Sequence, residues 1–243
     1  MDYTVVIPAR YASTRLPGKP LLEIAGKPLL QHVWEKARGS SARAVLIATD
    51  DERIASVARG FGAEVCLSSS AHRSGSDRVC EAIEGRALPD DAHIVNLQGD
   101  EPLLPSCLLD QVAAALETRS QADMATLCAP LEPGTDAADP NLVKVVRDNQ
   151  GRALYFSRCP IPHGAPRHWR HIGLYAYRAG YLRRFVRLPP CAAERDERLE
   201  QLRALHHGAW IHVELATAPV AAGVDTAADL QRVRELFRAQ IEI

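Results

Sequence analysis

The chain has 243 residues, 47% of them apolar, and a net charge of −1. That length suits one large α/β domain with a sizeable core, and the balanced charge excludes a general nucleic-acid or membrane-surface binder, which needs a basic excess. No window approaches the roughly 18 apolar residues of a membrane span, and the first residues lead straight into a short strand instead of a signal peptide, so a soluble, cytoplasmic protein is expected.

Residues 3–8 are β-branched and read as a buried strand. The chain then turns into Arg10-Tyr11-Ala12-Ser13-Thr14-Arg15-Leu16-Pro17-Gly18-Lys19-Pro20, whose prolines and glycine exclude a continuous helix. After a connector at 21–26, the pattern predicts a helix over 28–38 and a strand over 44–48. A helix over 52–59 follows, capped by Asp51 or a neighbour and stopped by Gly60 and Gly62, then a strand over 64–67. A polar stretch at 68–76 leads to a helix over 77–86, and a buried strand over 93–97 ends at Gln98-Gly99-Asp100-Glu101-Pro102. Strands alternating with helices in this way predict a mostly parallel, doubly wound Rossmann-like sheet, whose ligands bind beyond the carboxyl ends of the strands. The first loop, Thr49-Asp50, 68–78 and 98–101 all fall on that rim.

The second half predicts a helix over 105–119, a strand over 123–129, a loop over 133–141 and a β-hairpin over 142–157 turning at Asp148-Asn149-Gln150-Gly151. A proline-rich excursion at 160–169, a strand over 171–177, a helix over 179–186 and a charged helix over 194–205 follow. The chain closes with a strand over 210–216 and a helix over 226–240, which Thr226 and Asp229 cap as a pair. The expected organisation is one domain over 1–243, with an antiparallel lid or dimerisation insertion at about 123–190.

The opening loop carries Arg10, Arg15 and Lys19 and no carboxylate between Thr4 and Leu22. Unpaired cations after the first strand suit a triphosphate and the charge that develops on a leaving pyrophosphate; the alternative is a solvated basic loop. There is no G-x-x-x-x-G-K-[ST] pattern, which disfavours a P-loop ATPase. Asp100, just past a buried strand, suits Mg²⁺, which takes one or two carboxylates plus phosphate oxygens; the alternative is an Asx turn. Glu101 caps that turn or binds nearby. Asp225 in Gly223-Val224-Asp225-Thr226 reads equally as a helix cap and as a second metal carboxylate. His72-Arg73-Ser74-Gly75-Ser76-Asp77-Arg78 reads either as a cradle for a base or phosphate or as a capped helix start. Arg158, His171, Tyr175 and Glu200-Gln201 have the chemistry for a polyhydroxy acid, and spacing alone gives each a structural alternative. His171 and Tyr175 share a face only if their strand is regular. The six cysteines, Cys66, Cys80, Cys107, Cys128, Cys159 and Cys191, lie at no zinc-ligand spacing and are expected as small buried hydrophobes.

These stretches, with Tyr155-Phe156-Ser157-Arg158, His171-Ile172-Gly173-Leu174-Tyr175 and Leu199-Glu200-Gln201-Leu202-Arg203, resemble in order the motifs of the 3-deoxy-manno-octulosonate (KDO) cytidylyltransferases, from about residue 3 to 237. The resemblance implies a GT-A-like α/β core, a homodimer, and transfer of CMP from CTP to KDO for lipopolysaccharide assembly, with Mg²⁺ as cofactor. By matching motif it places Arg10, Ser13, Arg15 and Lys19 on the CTP phosphates and Ser74, Gly75 and Arg78 on cytosine and ribose. Asp100 and Asp225 fall on Mg²⁺, and Gln98, Arg158, His171, Tyr175, Glu200 and Gln201 on KDO. Ser76 stands where the family usually has Thr, the excursion at 160–169 is short, and Arg195-Asp196 is unusually charged. The alternatives are a cytidylyltransferase for another sugar acid, of the sialic acid or 8-amino-KDO type, and an inactive binding protein on the same fold.

Overall fold

Tyr3–Ala9 (β1) is buried in the middle of the protein, with Val5, Val6 and Ile7 fully enclosed. Successive side chains of a strand point to opposite faces. Val5 and Ile7 accordingly join one core, with apolar residues of the helices at 29–38, 52–60, 107–118 and 227–241, while Val6 joins the other, with those of the helices at 75–84, 179–185 and 201–206. Both faces of the sheet are covered, which is why its parallel strands read as unbroken apolar runs. The structure is a computed structural model and describes residues 2–12, 15–72 and 74–241.

The first half alternates as expected. A two-residue hairpin, Glu23–Ile24 (β2) with Lys27–Pro28 (β3), precedes Leu29–Arg38 (α1), Ala44–Thr49 (β4), Glu52–Gly60 (α2) and Glu64–Leu67 (β5). Gly75–Glu84 (α3) and His93–Asn96 (β6) follow. In the second half come Cys107–Thr118 (α4), Met124–Pro130 (β7), Lys144–Arg147 (β8), Ala153–Ser157 (β9), Trp169–Arg178 (β10) and Ala179–Phe185 (α5). Ala192–Glu197 (α6), Gln201–His206 (α7), Ile211–Leu215 (β11) and Ala227–Ile241 (α8) complete the chain. Among the described residues, nine strands form one mixed sheet in the order β11-β7-β10-β6-β1-β4-β5, with β8 pairing β10 and β9 off that path. The strands β5, β4, β1 and β6 are mutually parallel, β10 runs antiparallel to both β6 and β7, and β11 is parallel to β7. Within 123–190, therefore, β7 and β10 are central-sheet strands, while β8 and β9 form the appended hairpin. None of the described helices is long and apolar enough to cross a membrane.

Several elements differ from expectation. Helix α3 starts two residues early because Ser74 and Asp77 close a capping box. The helix expected over 194–205 is two helices, interrupted by Arg198 in the left-handed conformation (φ 54°). The connector at 21–26 contains the β2–β3 hairpin. Of the cysteines, Cys80, Cys128 and Cys191 are buried but Cys107 and Cys159 are exposed, so the buried-hydrophobe reading holds for only part of the set. Burial pushes the Cys80 and Cys128 thiols up to about 11, and the Cys191 sulfur accepts from the Glu194 N–H at the start of α6.

Candidate active site

The loop after β1 is held from outside. Gly18 N–H donates to the Tyr11 carbonyl at 3.2 Å, and the left-handed Gly18 (φ 68°) lies against the Tyr11 ring, which a Cβ there would meet at 3.3 Å. The Arg53 guanidinium stacks 3.4 Å from the Tyr11 ring centroid and is itself tied to Asp51 by two bonds of 3.0 and 2.6 Å. A short 3₁₀ turn, Lys19–Leu21, then turns Lys19 towards the sheet edge. Ser13 lies outside the described residues.

Two cations of this loop, Lys19 and Arg15, are paired. Lys19 Nζ donates to Asp100 Oδ2 at 2.6 Å, to the Val224 carbonyl at 2.9 Å and to Asp225 Oδ1 at 3.3 Å. Arg15 Nη2 lies 3.0 Å from Asp225 Oδ1. The loop looks uncompensated in sequence because the Lys19 partners stand 81 and 206 residues away. Val224 N–H donates to the Asp100 carbonyl at 2.9 Å and staples the two carboxylate segments together. Glycines permit the approach: a Cβ at Gly99 would lie 2.9 Å from the Pro8 carbonyl, and one at Gly223 would lie 2.9 Å from Glu101 Oε1. Burial pushes the Glu101 carboxyl up to about 8, and the charge on Asp100 pushes the same way.

Among the described residues no group of three or more His, Cys, Asp and Glu could enclose a metal. Asp100 and Asp225 converge on one cation and are 29% and 48% exposed. Two hard-oxygen donors facing a cleft fit Mg²⁺, which completes its shell with waters and substrate phosphates.

Three cavities run along this rim and share walls. The middle one, about 230 Å³, is lined by Arg10, Arg15, Lys19, Gln98, Asp100 and Asp225, among others. A second, about 190 Å³, lies on its far side between Pro8, Arg10, His72, Ser74, Gly75 and Arg78, with Gln98 in the common wall. Arg78 is buried, its guanidinium 3.0 Å from Asp50 and bonded to Ser68, so the end of β4 fixes it from below. Gln98 donates to Asn96 Oδ1 at 3.2 Å. His72, which the sequence reading included in the 72–78 stretch without a role of its own, stands in this wall, bonded to Glu81.

The third cavity, about 500 Å³, is lined by Arg15, Asp100, Glu101, Arg170, His171 and Asp225, among others. His171 Nε2 lies 2.9 Å from Thr126 Oγ1, which donates its one proton to the Leu174 or Ile172 carbonyl at 2.8 or 3.1 Å. The Thr126 oxygen therefore accepts from His171, which places the imidazole proton on Nε2 and leaves Nδ1 an acceptor. The His171 ring meets Tyr175 at 5.3 Å and Phe156 edge-on at 5.0 Å. The His171–Tyr175 contact does not require a regular strand: β10 shifts register between Ile172 and Tyr175, and the two rings touch across the irregularity.

Burial lowers the His171 pKa from 6.5 to about 3, with Arg170 acting the same way. The unfolded chain therefore takes up this proton first, so stability falls as the pH drops through that window. His171→Gln is expected to flatten this part of the unfolding-midpoint curve against pH; an unchanged slope would overturn the assignment.

The other predicted residues lie away from the walls of these cavities. Arg158 gives Nε to the Glu197 carbonyl at 2.7 Å and Nη1 to the Pro140 carbonyl at 2.6 Å, clamping the loop before β8 to the end of α6. The buried Lys144 ties the same loop through the Asp139 and Leu142 carbonyls at 3.1 and 2.5 Å. Glu200 Oε2 accepts from Ser76 Oγ at 2.6 Å, and Gln201 is buried at the start of α7. Glu101, Arg170 and Asp50 were missed or left open because each depends on a neighbour distant in the chain.

The cytidylyltransferase family model matches residues 4–213. The chain is 52% identical over 254 residues to the 3-deoxy-manno-octulosonate cytidylyltransferase of Nitrosococcus oceani, covering 99% of this chain and 98% of that protein. It is 54% identical over 250 residues to that of Thioalkalivibrio sulfidiphilus, covering 98% and 100%. The solved structure of a CMP:2-keto-3-deoxy-manno-octonic acid synthetase complexed with CTP superposes with a TM-score of 0.92 at 39% identity, covering 99% of this chain and all of that one. A rim of this geometry, on a chain matched end to end by such relatives, belongs to the cytidylyltransferase family, among the 3-deoxy-manno-octulosonate cytidylyltransferases.

Proposed function

We propose that the protein transfers CMP from CTP to KDO. The anomeric hydroxyl oxygen of the sugar acid bonds to the α-phosphorus, the α–β phosphoanhydride breaks, pyrophosphate departs, and the hydroxyl proton is released. The observation that carries this reading is the cluster of Lys19 and Arg15 with Asp100 and Asp225, in which Arg15, Asp100 and Asp225 line both the middle and the larger cavity.

The division of the rim supports the roles. Ser74, Gly75 and the immobilised Arg78 border the smaller cavity and suit cytosine and ribose. Arg10, Arg15 and Lys19 border the middle one, where cations stabilise charge developing on the leaving pyrophosphate. The larger cavity has room for an eight-carbon sugar acid, with Arg170 as a cation for its carboxylate and His171 Nδ1 as an acceptor for a hydroxyl. Gln98, Arg158, Tyr175, Glu200 and Gln201 complete the sugar side in this reading, Arg158 by fixing the loop that lines the cavity. Asp100 and Asp225 would hold Mg²⁺, which supplies Lewis-acid polarisation of phosphate oxygens and a lowered hydroxyl pKa when bound. The homodimer belongs to the same reading and is supported by Leu154 and Tyr155 on β9, 57% and 39% exposed; the β8–β9 hairpin is the part of the insertion suited to that contact.

Pyrophosphate release from CTP, Mg²⁺ and KDO tests the assignment. Release with KDO and not with sialic acid is expected. Release only with another sugar acid would overturn the substrate, and none with any sugar acid would favour a binding protein.

A further inference from the structure

Helices α6 and α7 are separated by Arg198, whose left-handed backbone folds one back on the other. In one continuous helix, Glu194 and Arg203 would lie about 13 Å apart along the axis on opposite faces. Here Arg203 Nε and Nη2 reach Glu194 Oε2 and Oε1 at 3.0 and 2.7 Å, and the same Nη2 reaches Glu200 Oε1 at 3.1 Å. The guanidinium lies 4.9 Å from the Phe185 ring centroid and Arg203 is 8% exposed, so it has one available pose. The other Glu200 oxygen accepts from Ser76, which is buried in the first turn of α3, next to the Ser74 and Gly75 that border the smaller cavity.

From this geometry we infer that Arg203 is a positioning residue for KDO: braced by Glu194, it fixes the Glu200 carboxylate against the start of α3 in one orientation, behind the cavity walls, where it bears on the sugar through Tyr175, the ring that packs against His171. The inference rests on the assignment of Glu200 to the sugar side. Three carboxylates, Glu194, Glu200 and Asp77, share the one guanidinium. Burial raises the Glu200 pKa above its ordinary value, the Ser76 and Ser74 hydroxyls and Arg203 offset this only in part, and Asp77 adds to it. Tyr175 and Tyr177 face the same carboxylate and are themselves held protonated by burial. A bridge whose only purpose was to pin α6 to α7 would not need the second carboxylate.

The test compares Arg203→Met, Arg203→Lys, Glu200→Gln and the Met/Gln double variant in steady state across pH, with thermal unfolding in parallel. Loss of a charged hydrogen-bond partner to a buried acceptor corresponds to about a tenfold effect. Arg203→Met is expected to raise KM for KDO about tenfold with KM for CTP within about twofold, and to move the acid limb of kcat/KM for KDO upward. In the Glu200→Gln background the same change should add nothing. Arg203→Lys keeps the charge but not the fork, so a several-fold rise in KM without movement of the acid limb is expected. If Arg203→Met fails to fold, the Lys variant decides, and an unchanged KM for KDO overturns the proposal. Equal effects of Arg203→Met in both backgrounds, or a lowered melting temperature with KM unchanged, would reduce Arg203 to a structural brace. If Glu200→Gln itself leaves KM for KDO unchanged, the Glu200 assignment has failed, which is a separable outcome.

Discussion

Asp100→Asn is expected to lower turnover roughly a thousandfold or more, in line with the loss of a principal electrostatic group at a reacting phosphate, while the protein still folds. The amide is isosteric, so the turn after β6 and the Val224-to-Asp100 main-chain bond survive. What is lost is charge. Asp100 is the closer of the two carboxylates on Lys19, at 2.6 Å against 3.3 Å, and the less exposed. An Asn oxygen is a poor ligand for a hard divalent cation, and its amide would face the Lys19 ammonium with a donor. The stability cost should be about 1 kcal/mol or less, because the pair is partly solvated. Single-turnover pyrophosphate release, with thermal unfolding as control, separates the two effects. Near-normal turnover would refute the role assigned to Asp100.

The second large effect is expected at Lys19. Lys19→Met keeps the stem and removes the ammonium, and kcat/KM for CTP should fall roughly a hundredfold, as for the deletion of one preorganised donor at developing charge. Lys19 is 15% exposed in its side chain and has three acceptors within 3.3 Å. A compact ammonium with three donors suits that arrangement, whereas a planar guanidinium does not, so Lys19→Arg should restore little. Without Lys19, among the described residues Arg15 still pairs with Asp225, whereas Asp100 loses its ion-pair partner. An unchanged kcat/KM for CTP would show that the middle cavity does not hold the triphosphate.

The parallel half of the fold was open to reading because its signals are local. The β-branched runs of β1 and β4, the Asp51 cap on α2 and the Thr226–Asp229 capping pair each reside within a few residues. The split between α6 and α7 was not open to reading. It occurs at Arg198, a residue with no sequence mark of the left-handed conformation, inside a stretch that is otherwise good helix. The register shift in β10 is likewise invisible, since it is set by pairing with β7. The same divide runs through the site. Arg10, Arg15, Lys19 and Asp100 announce themselves by type and position, but the pairing of Lys19 with Asp100 and Asp225 does not, nor does Asp50 beneath Arg78 or the raised pKa of Glu101. The sugar side was accessible through resemblance to a family and not through spacing, because His171, Glu200 and Thr126 acquire meaning only from contacts across the sheet.

The reach of Lys19 to Asp225, 206 residues along the chain, also orders events during synthesis. Chains emerge from the ribosome amino end first. The cationic loop and Asp100 are therefore available to the growing polypeptide long before the segment carrying Val224 and Asp225 exists. Until that segment arrives, the carboxylate pair is incomplete and the Asp100 carbonyl lacks the Val224 bond. The cluster that joins Lys19 to both carboxylates therefore closes only after the chain has been made through Asp225.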